Sequence, residues 1–125
     1  MENLKKILPS GAELEVTLAS FAEGHRLFKV VTKELETIDF KEDTVQKMAF
    51  RLIASEAVEQ ALWPCMGRAT YNQMKVNADL FEDAGIRGDF LAVAKEVLVF
   101  NLLPFSKGLD SVFSTFTQKN TDTQK

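Results

Sequence analysis

A lone cysteine, Cys65, and a lone histidine, His25, are the scarcest chemistry in this chain of 125 residues. One cysteine rules out an internal disulfide, and a single free thiol fits a reducing compartment. The pair also falls short of a zinc site, which wants several Cys, His or clustered carboxylates. Long apolar runs are missing as well. The stretch from Val97 to Phe100 and on to Leu103 is broken by Asn101 and followed by Pro104. That is well below the ~20 residues a membrane span needs. The opening residues carry too little apolar length for a secretory signal. A basic excess is absent too, with 15 Lys and Arg against 18 Asp and Glu and a net charge of −3. The closest basic groupings are Lys5-Lys6 and the scattered Lys29 and Lys33. Nucleic-acid binding, which draws most of its affinity from phosphate neutralisation, is therefore not expected.

Catalytic constellations are equally sparse. His25 lies between Phe21 and Phe28 on an apolar helical stripe, the place of a packed or rim histidine rather than of a general base. Cys65 falls in the cluster Trp63-Pro64-Cys65-Met66, which reads as buried, whereas a nucleophile needs a base or a positive field. The carboxylates Glu34, Glu36 and Asp39, then Glu42 and Asp43, then Glu56 and Glu59, read as helix surface and caps. Gly85 and Gly88 stand alone, with no phosphate-binding fingerprint around them. The residues point to no enzyme, no metal and no cofactor.

Phenylalanine is what the chain has in quantity, at ten of its twelve aromatic residues, within a hydrophobic content of 46%. A chain this long hides roughly two-thirds of the surface its unfolded form exposes, enough for a core without staples. Residues 4 to 18 predict a small hairpin around the turn Pro9-Ser10-Gly11, with Leu14-Glu15-Val16-Thr17-Leu18 alternating like a half-buried strand. A lone hairpin is marginal in water, so it must lie on helices or pair with another chain. Its open edge makes a homo-oligomer one such outcome.

Ser20 with Glu23 has the form of a capping box opening the first helix. Phe21, His25, Phe28, Val31, Leu35 and Ile38 then form one continuous apolar stripe over five turns. Asp43 with Gln46 predicts the cap of a second helix, with Val45, Met48, Ala49, Leu52 and Ile53 inward. Ser55 restarts a third helix through Ala57, Val58, Ala61 and Leu62, which Pro64 is expected to interrupt at Trp63. Residues 67 to 88 are the least periodic. The alternation from Tyr71 to Val76 reads as a short strand or a packed loop, and Asp79 to Asp83 as one helical turn. A fourth helix, about Asp89 to Leu103, is apolar almost all round and capped by Asp89, which predicts the buried central helix. Beyond Pro104, Phe105, Leu109, Val112, Phe113 and Phe116 recur at helical spacing. That stripe is either ordinary core or a helix that fills or forms a partner's groove. The expected architecture is mainly α, about five helices around a central one with a small N-terminal β-hairpin. It forms one domain over residues 4–116 followed by a disordered polar tail at 117–125.

Three stretches carry a family resemblance: Leu8-Pro9-Ser10-Gly11-Ala12-Glu13-Leu14-Glu15-Val16, then Ala61-Leu62-Trp63-Pro64-Cys65-Met66 with Arg68-Ala69-Thr70-Tyr71-Asn72, then Asp89-Phe90-Leu91 with Phe100-Asn101-Leu102-Leu103-Pro104-Phe105. Together and in this order the chain resembles the tail assembly chaperones of phages with long, non-contractile tails that infect Gram-positive hosts. The run Leu-Trp-x-Cys-Met-x-Arg-x-Thr-Tyr-Asn is its most specific part, and the chain departs from the family pattern at Pro64 and Gly67. The resemblance implies a non-enzymatic protein of the host cytoplasm, encoded by a phage or prophage. Such a protein binds the tape measure protein, keeps it soluble, helps recruit tail tube subunits and is absent from the finished virion. It also implies that a frameshifted longer form of the chain is a further partner. The alternative on the residues alone is a helical adaptor or regulatory module for another protein. Under either reading Phe105, Leu109, Val112, Phe113 and Phe116 are the candidate partner-binding residues.

Overall fold

A computed structural model of the chain describes residues 3–37 and 45–105, without the side chains of residues 45, 46, 48 and 49. The expected roles of Ile38, of the Asp43–Gln46 cap, of the Val45, Met48 and Ala49 side chains, of Leu109, Val112, Phe113 and Phe116, and of the tail at 117–125 therefore lie outside the described residues.

The hairpin forms where its alternation places it. Strand β1 (Leu4–Ile7) pairs antiparallel with β2 (Glu13–Val16), Leu4 opposite Val16 and Ile7 opposite Glu13. Gly11 takes φ +93° in the turn, where the Gly11 amide donates to the Leu8 carbonyl at 2.8 Å. The hairpin is half of something larger, which corrects the expectation of an isolated one. β2 pairs on its other side with β3 (Ala69–Tyr71), and β3 pairs with β4 (Met74–Lys75), giving a four-stranded antiparallel sheet in the order β1-β2-β3-β4. The need is physical: Leu14 and Val16 are buried, so both backbone edges of β2 must find partners. The alternation from Tyr71 to Val76 is thus neither one strand nor a loop. It straddles a tight turn in which Asn72 and Gln73 both take positive φ, 47° and 70°, the geometry of hairpin turns whose twist matches the sheet.

Helix α1 (Phe21–Leu35) opens as predicted, the Ser20 hydroxyl accepting from the Glu23 amide at 3.3 Å. Its buried stripe keeps Val31 of the expected one, with Leu35 packed partly against the core, and is otherwise rotated. Gly24, Leu27 and Val31 face the core, while Phe21 is 73% exposed and His25 and Phe28 are half-buried. The two stripes lie about 60° apart around the helix, and packing against the third helix selects the one with the smaller side chains. Helix α2 (Val45–Ala54) buries Leu52 and Ile53. Helix α3 (Glu56–Met66) is capped by Ser55, whose hydroxyl accepts from the Val58 amide at 3.4 Å. It runs through Pro64 instead of stopping at Trp63, a second correction. Pro64 withholds one amide from the Gln60 carbonyl, but both residues are exposed in the last turns, where water can take the place of that donor.

After a 3₁₀ turn (Ala78–Glu82) and the four-residue helix α4 (Ala84–Arg87) comes α5 (Phe90–Leu102). It is central in that it packs against β2, α1, α2 and α3. It is not buried all round, however: Leu91 and Val99 are each 47% exposed, because its neighbours leave one flank uncovered. Asp89 occupies the N-cap position without capping α5. Its carboxylate instead accepts from the Ser10 hydroxyl and the Tyr71 hydroxyl, both at 2.5 Å. Asn101, the polar break in the apolar run, is 1% exposed. Its amide oxygen accepts from the Ala19 backbone N–H and its amide nitrogen donates to the Val97 carbonyl, both at 2.9 Å. Buried residues of the sheet and of α1, α2, α3 and α5 form one core cluster. Among the described residues no helix is long and apolar enough to cross a membrane.

Candidate functional site

The rotation of α1 turns its largest side chains outward. Phe21 and His25, one helical turn apart, stack with ring centroids 5.1 Å apart and planes 19° from parallel. A 3₁₀ turn (Leu103–Phe105) follows α5 at Pro104 and delivers Phe105 onto the same face. Phe105 stacks on Phe28 at 4.9 Å and 18°, lies 6.0 Å from the His25 ring and 6.2 Å from that of Phe21. These separations are in the range of favourable aromatic pairs. Beside the rings lies a pocket of about 170 Å³, walled by Leu18, Phe21, Gly24, Pro104 and Phe105. Its floor is held by the Asn101–Ala19 hydrogen bond that ties the β2–α1 connection to α5.

The outcome is a partly exposed aromatic row, Phe21–His25–Phe105–Phe28, in which Phe105 reaches onto α1 from the turn after α5. Phe105 is the one predicted partner-binding residue within the described chain, and the fold joins it to Phe21 and Phe28 of the apolar stripe and to His25, the packed or rim histidine. One signal in the sequence did point this way. A histidine between two phenylalanines sits poorly in a core, because a buried ring nitrogen must find a partner. His25 makes no hydrogen bond among the described residues, and its half-exposed ring leaves its nitrogens open to water. On another side of α1 the Glu23 carboxylate accepts from Arg68 Nε at 2.8 Å. That contact holds its pKa below the usual carboxylate value, with Ser20 adding to the shift.

The other reactive side chains sit elsewhere. Cys65 is fully buried, its thiol 3.8 Å from the Ala61 carbonyl oxygen. Burial, and then the charge of Glu23, push its pKa up to about 11. At neutral pH roughly one thiol in ten thousand is then ionised, the state of a packing residue. In the Ser10–Asp89–Tyr71 cluster the hydrogen bond to Asp89, with burial behind it, raises the Tyr71 pKa. Both hydroxyls are therefore donors that fasten the first turn and β3 to the start of α5. Among the described residues no group of three or more His, Cys, Asp or Glu could hold a metal ion. Compared with known proteins, the chain matches no family model, no curated protein and no solved structure.

Proposed function

We propose that the protein is a phage tail assembly chaperone that binds the tape measure protein through the aromatic row of α1. The observation that carries the binding role is the 73% exposure of Phe21 at one end of a stacked row. A large apolar ring held in water, among other rings and beside a pocket, is the anatomy of an anchor site for a partner's side chains. The resemblance of its motifs to those of the chaperone family supports the choice of partner.

A tape measure protein is a long helical chain whose apolar stripes must stay covered until tube subunits close around it. A small domain bound in many copies can cover such stripes with modest affinity at each contact, since multivalency supplies the rest. Modest affinity also lets the tube subunits displace it. The polar outer surface of each copy then keeps the assembly soluble in the host cytoplasm.

Co-expression tests this reading. A tagged copy of the chain, produced with the longest helical protein encoded beside it, should bring that protein into the soluble fraction. The same protein expressed alone should be insoluble. Phe21→Ser combined with Phe105→Ser should abolish the rescue. Insolubility of the long protein despite a folded, abundant wild-type chain would sink the chaperone reading.

A further inference from the structure

A second row runs along α1 beside the aromatic one. Arg26, Lys29 and Lys33 recur at spacings of three and four and are all exposed. At about 100° per residue they occupy the flank of the helix adjoining Phe21 and His25. Among the described residues, ion pairs join Lys6 to Glu96 and Arg68 to Glu23, and none engages Arg26, Lys29 or Lys33. The chain as a whole carries a net charge of −3, so this flank inverts the sign of the molecule at the border of its aromatic row.

Any element that seats on Phe21, His25 and Phe105 and follows the direction of α1 lays one of its edges over these cations. A basic edge there would be repelled, and an acidic one attracted. We infer that the partner element is an amphipathic helix with an apolar stripe and an acidic flank, the flank lying over Arg26, Lys29 and Lys33. The inference rests on the reading of this face as a helix-binding surface and adds the charge and orientation of what it binds. Rim charges of this kind act mostly on encounter rate, orientation and rejection of wrong partners. The rings supply the affinity, and the basic row selects which stripe of a long helical partner is read and which way round it lies.

The test uses the full chain, isotopically labelled for NMR, and two designed helical peptides with the same Leu/Phe stripe. One carries Glu along one flank and the other carries Lys. The Glu-flanked peptide should shift the amides of residues 21–33 and bind about tenfold more tightly than the other at low ionic strength. The gap should narrow as salt screens the rim. The triple variant Arg26→Glu, Lys29→Glu, Lys33→Glu alters only exposed side chains, so it should keep the circular dichroism of the parent and invert the preference. Equal affinities, or shifts elsewhere on the molecule, would overturn the inference. So would α1 shifts that grow with concentration of the protein alone, which would make a second copy the occupant. A short DNA duplex that outcompetes the Glu-flanked peptide at α1 would assign the row to phosphate instead, and direct contact of Phe21 with residues 106–116 that no peptide displaces would assign the face to the chain's own C-terminal segment. If the charge-reversed triple variant still rescues the tape measure protein undiminished, this inference fails while the chaperone reading stands.

Discussion

The Tyr71 hydroxyl donates to the Asp89 carboxylate at 2.5 Å, and this bond fastens the third strand to the first turn of the central helix. The Ser10 hydroxyl donates to the same carboxylate oxygen, so one acid closes the β1–β2 turn, β3 and α5 upon each other. Short hydrogen bonds to an ionised acceptor are the strong ones, and this carboxylate is 9% exposed. Asp89→Ala should therefore destabilise the fold by about 3 kcal/mol and Tyr71→Phe by about 1.5 kcal/mol, measured by urea unfolding. A double variant no worse than Asp89→Ala alone would show the two acting as one unit. Independent, additive losses would contradict the clamp.

Alkaline pH should weaken the protein through Cys65. Below its ordinary value of 9.0 the thiol is protonated in both folded and unfolded chains, and the stabilising difference is fully present. As pH rises past 9.0 the unfolded chain ionises, while the folded one holds its proton until about 11. Stability should fall across that window by about 2–3 kcal/mol. Tyr71, whose pKa is raised from 10.0, adds to the upper end of the loss. Urea midpoints collected from pH 8 to 11 would show it, and Cys65→Ala should lack the part that begins near pH 9. An unchanged slope in that variant would mean the thiol ionises as freely folded as unfolded.

Pro64 offers a stabilising substitution. The helix passes through it, and only the missing amide and the ring oppose helical geometry there. Pro64→Ala restores a donor for the Gln60 carbonyl, at the expense of a looser unfolded chain. Thermal unfolding should show a net gain of about 1 kcal/mol. A loss would mean that α3 depends on the proline, contrary to its exposed position.

The orientation of α1 separates two substitutions that the sequence alone would rank the other way. Leu27→Ala empties a fully buried site and should cost about 2–4 kcal/mol. Phe21→Ser removes a ring that is 73% exposed, so its effect on stability should stay within about 0.5 kcal/mol. The same substitution should still weaken partner binding. Comparable losses of stability from both would put Phe21 in the core.

Much of the local structure was legible. Ser20 and Ser55 were readable as caps because a short side chain that bonds an amide three residues on is a local event. The first hairpin was readable from a turn tripeptide between alternating residues, and the span of α5 from its apolar run and Pro104. Misreadings arose where two local rules competed or a distant partner decided. Pro64 looked like a terminus because its ring disfavours helix, yet burial of Val58, Ala61, Leu62, Cys65 and Met66 along one side carries α3 past it. Tyr71 to Val76 alternates like a strand, and the positive φ of Asn72 and Gln73 leaves no trace in that pattern. Within the candidate site Phe105 was legible as an apolar anchor. Phe21 and Phe28 read only as an apolar stripe and His25 as a packed or rim residue, because aromatic residues at helical spacing look the same on either side of a helix.

Where most helices and strands begin and end follows from the local chain, since capping, turn chemistry and periodicity act over a few residues. The scarcity of reactive and metal-binding side chains is likewise plain from the residues alone. The pairing of β2 with β3, fifty-odd residues away, comes instead from how the segments pack. Tertiary packing also made Asp89 bond Ser10 and Tyr71 rather than cap its own helix, and made α1 bury Gly24 and Leu27 beside Val31 and leave Phe21 in water. Each of those outcomes is a choice between locally equivalent arrangements. Burial and hydrogen bonding settle it only when segments remote in the chain arrive at the same place.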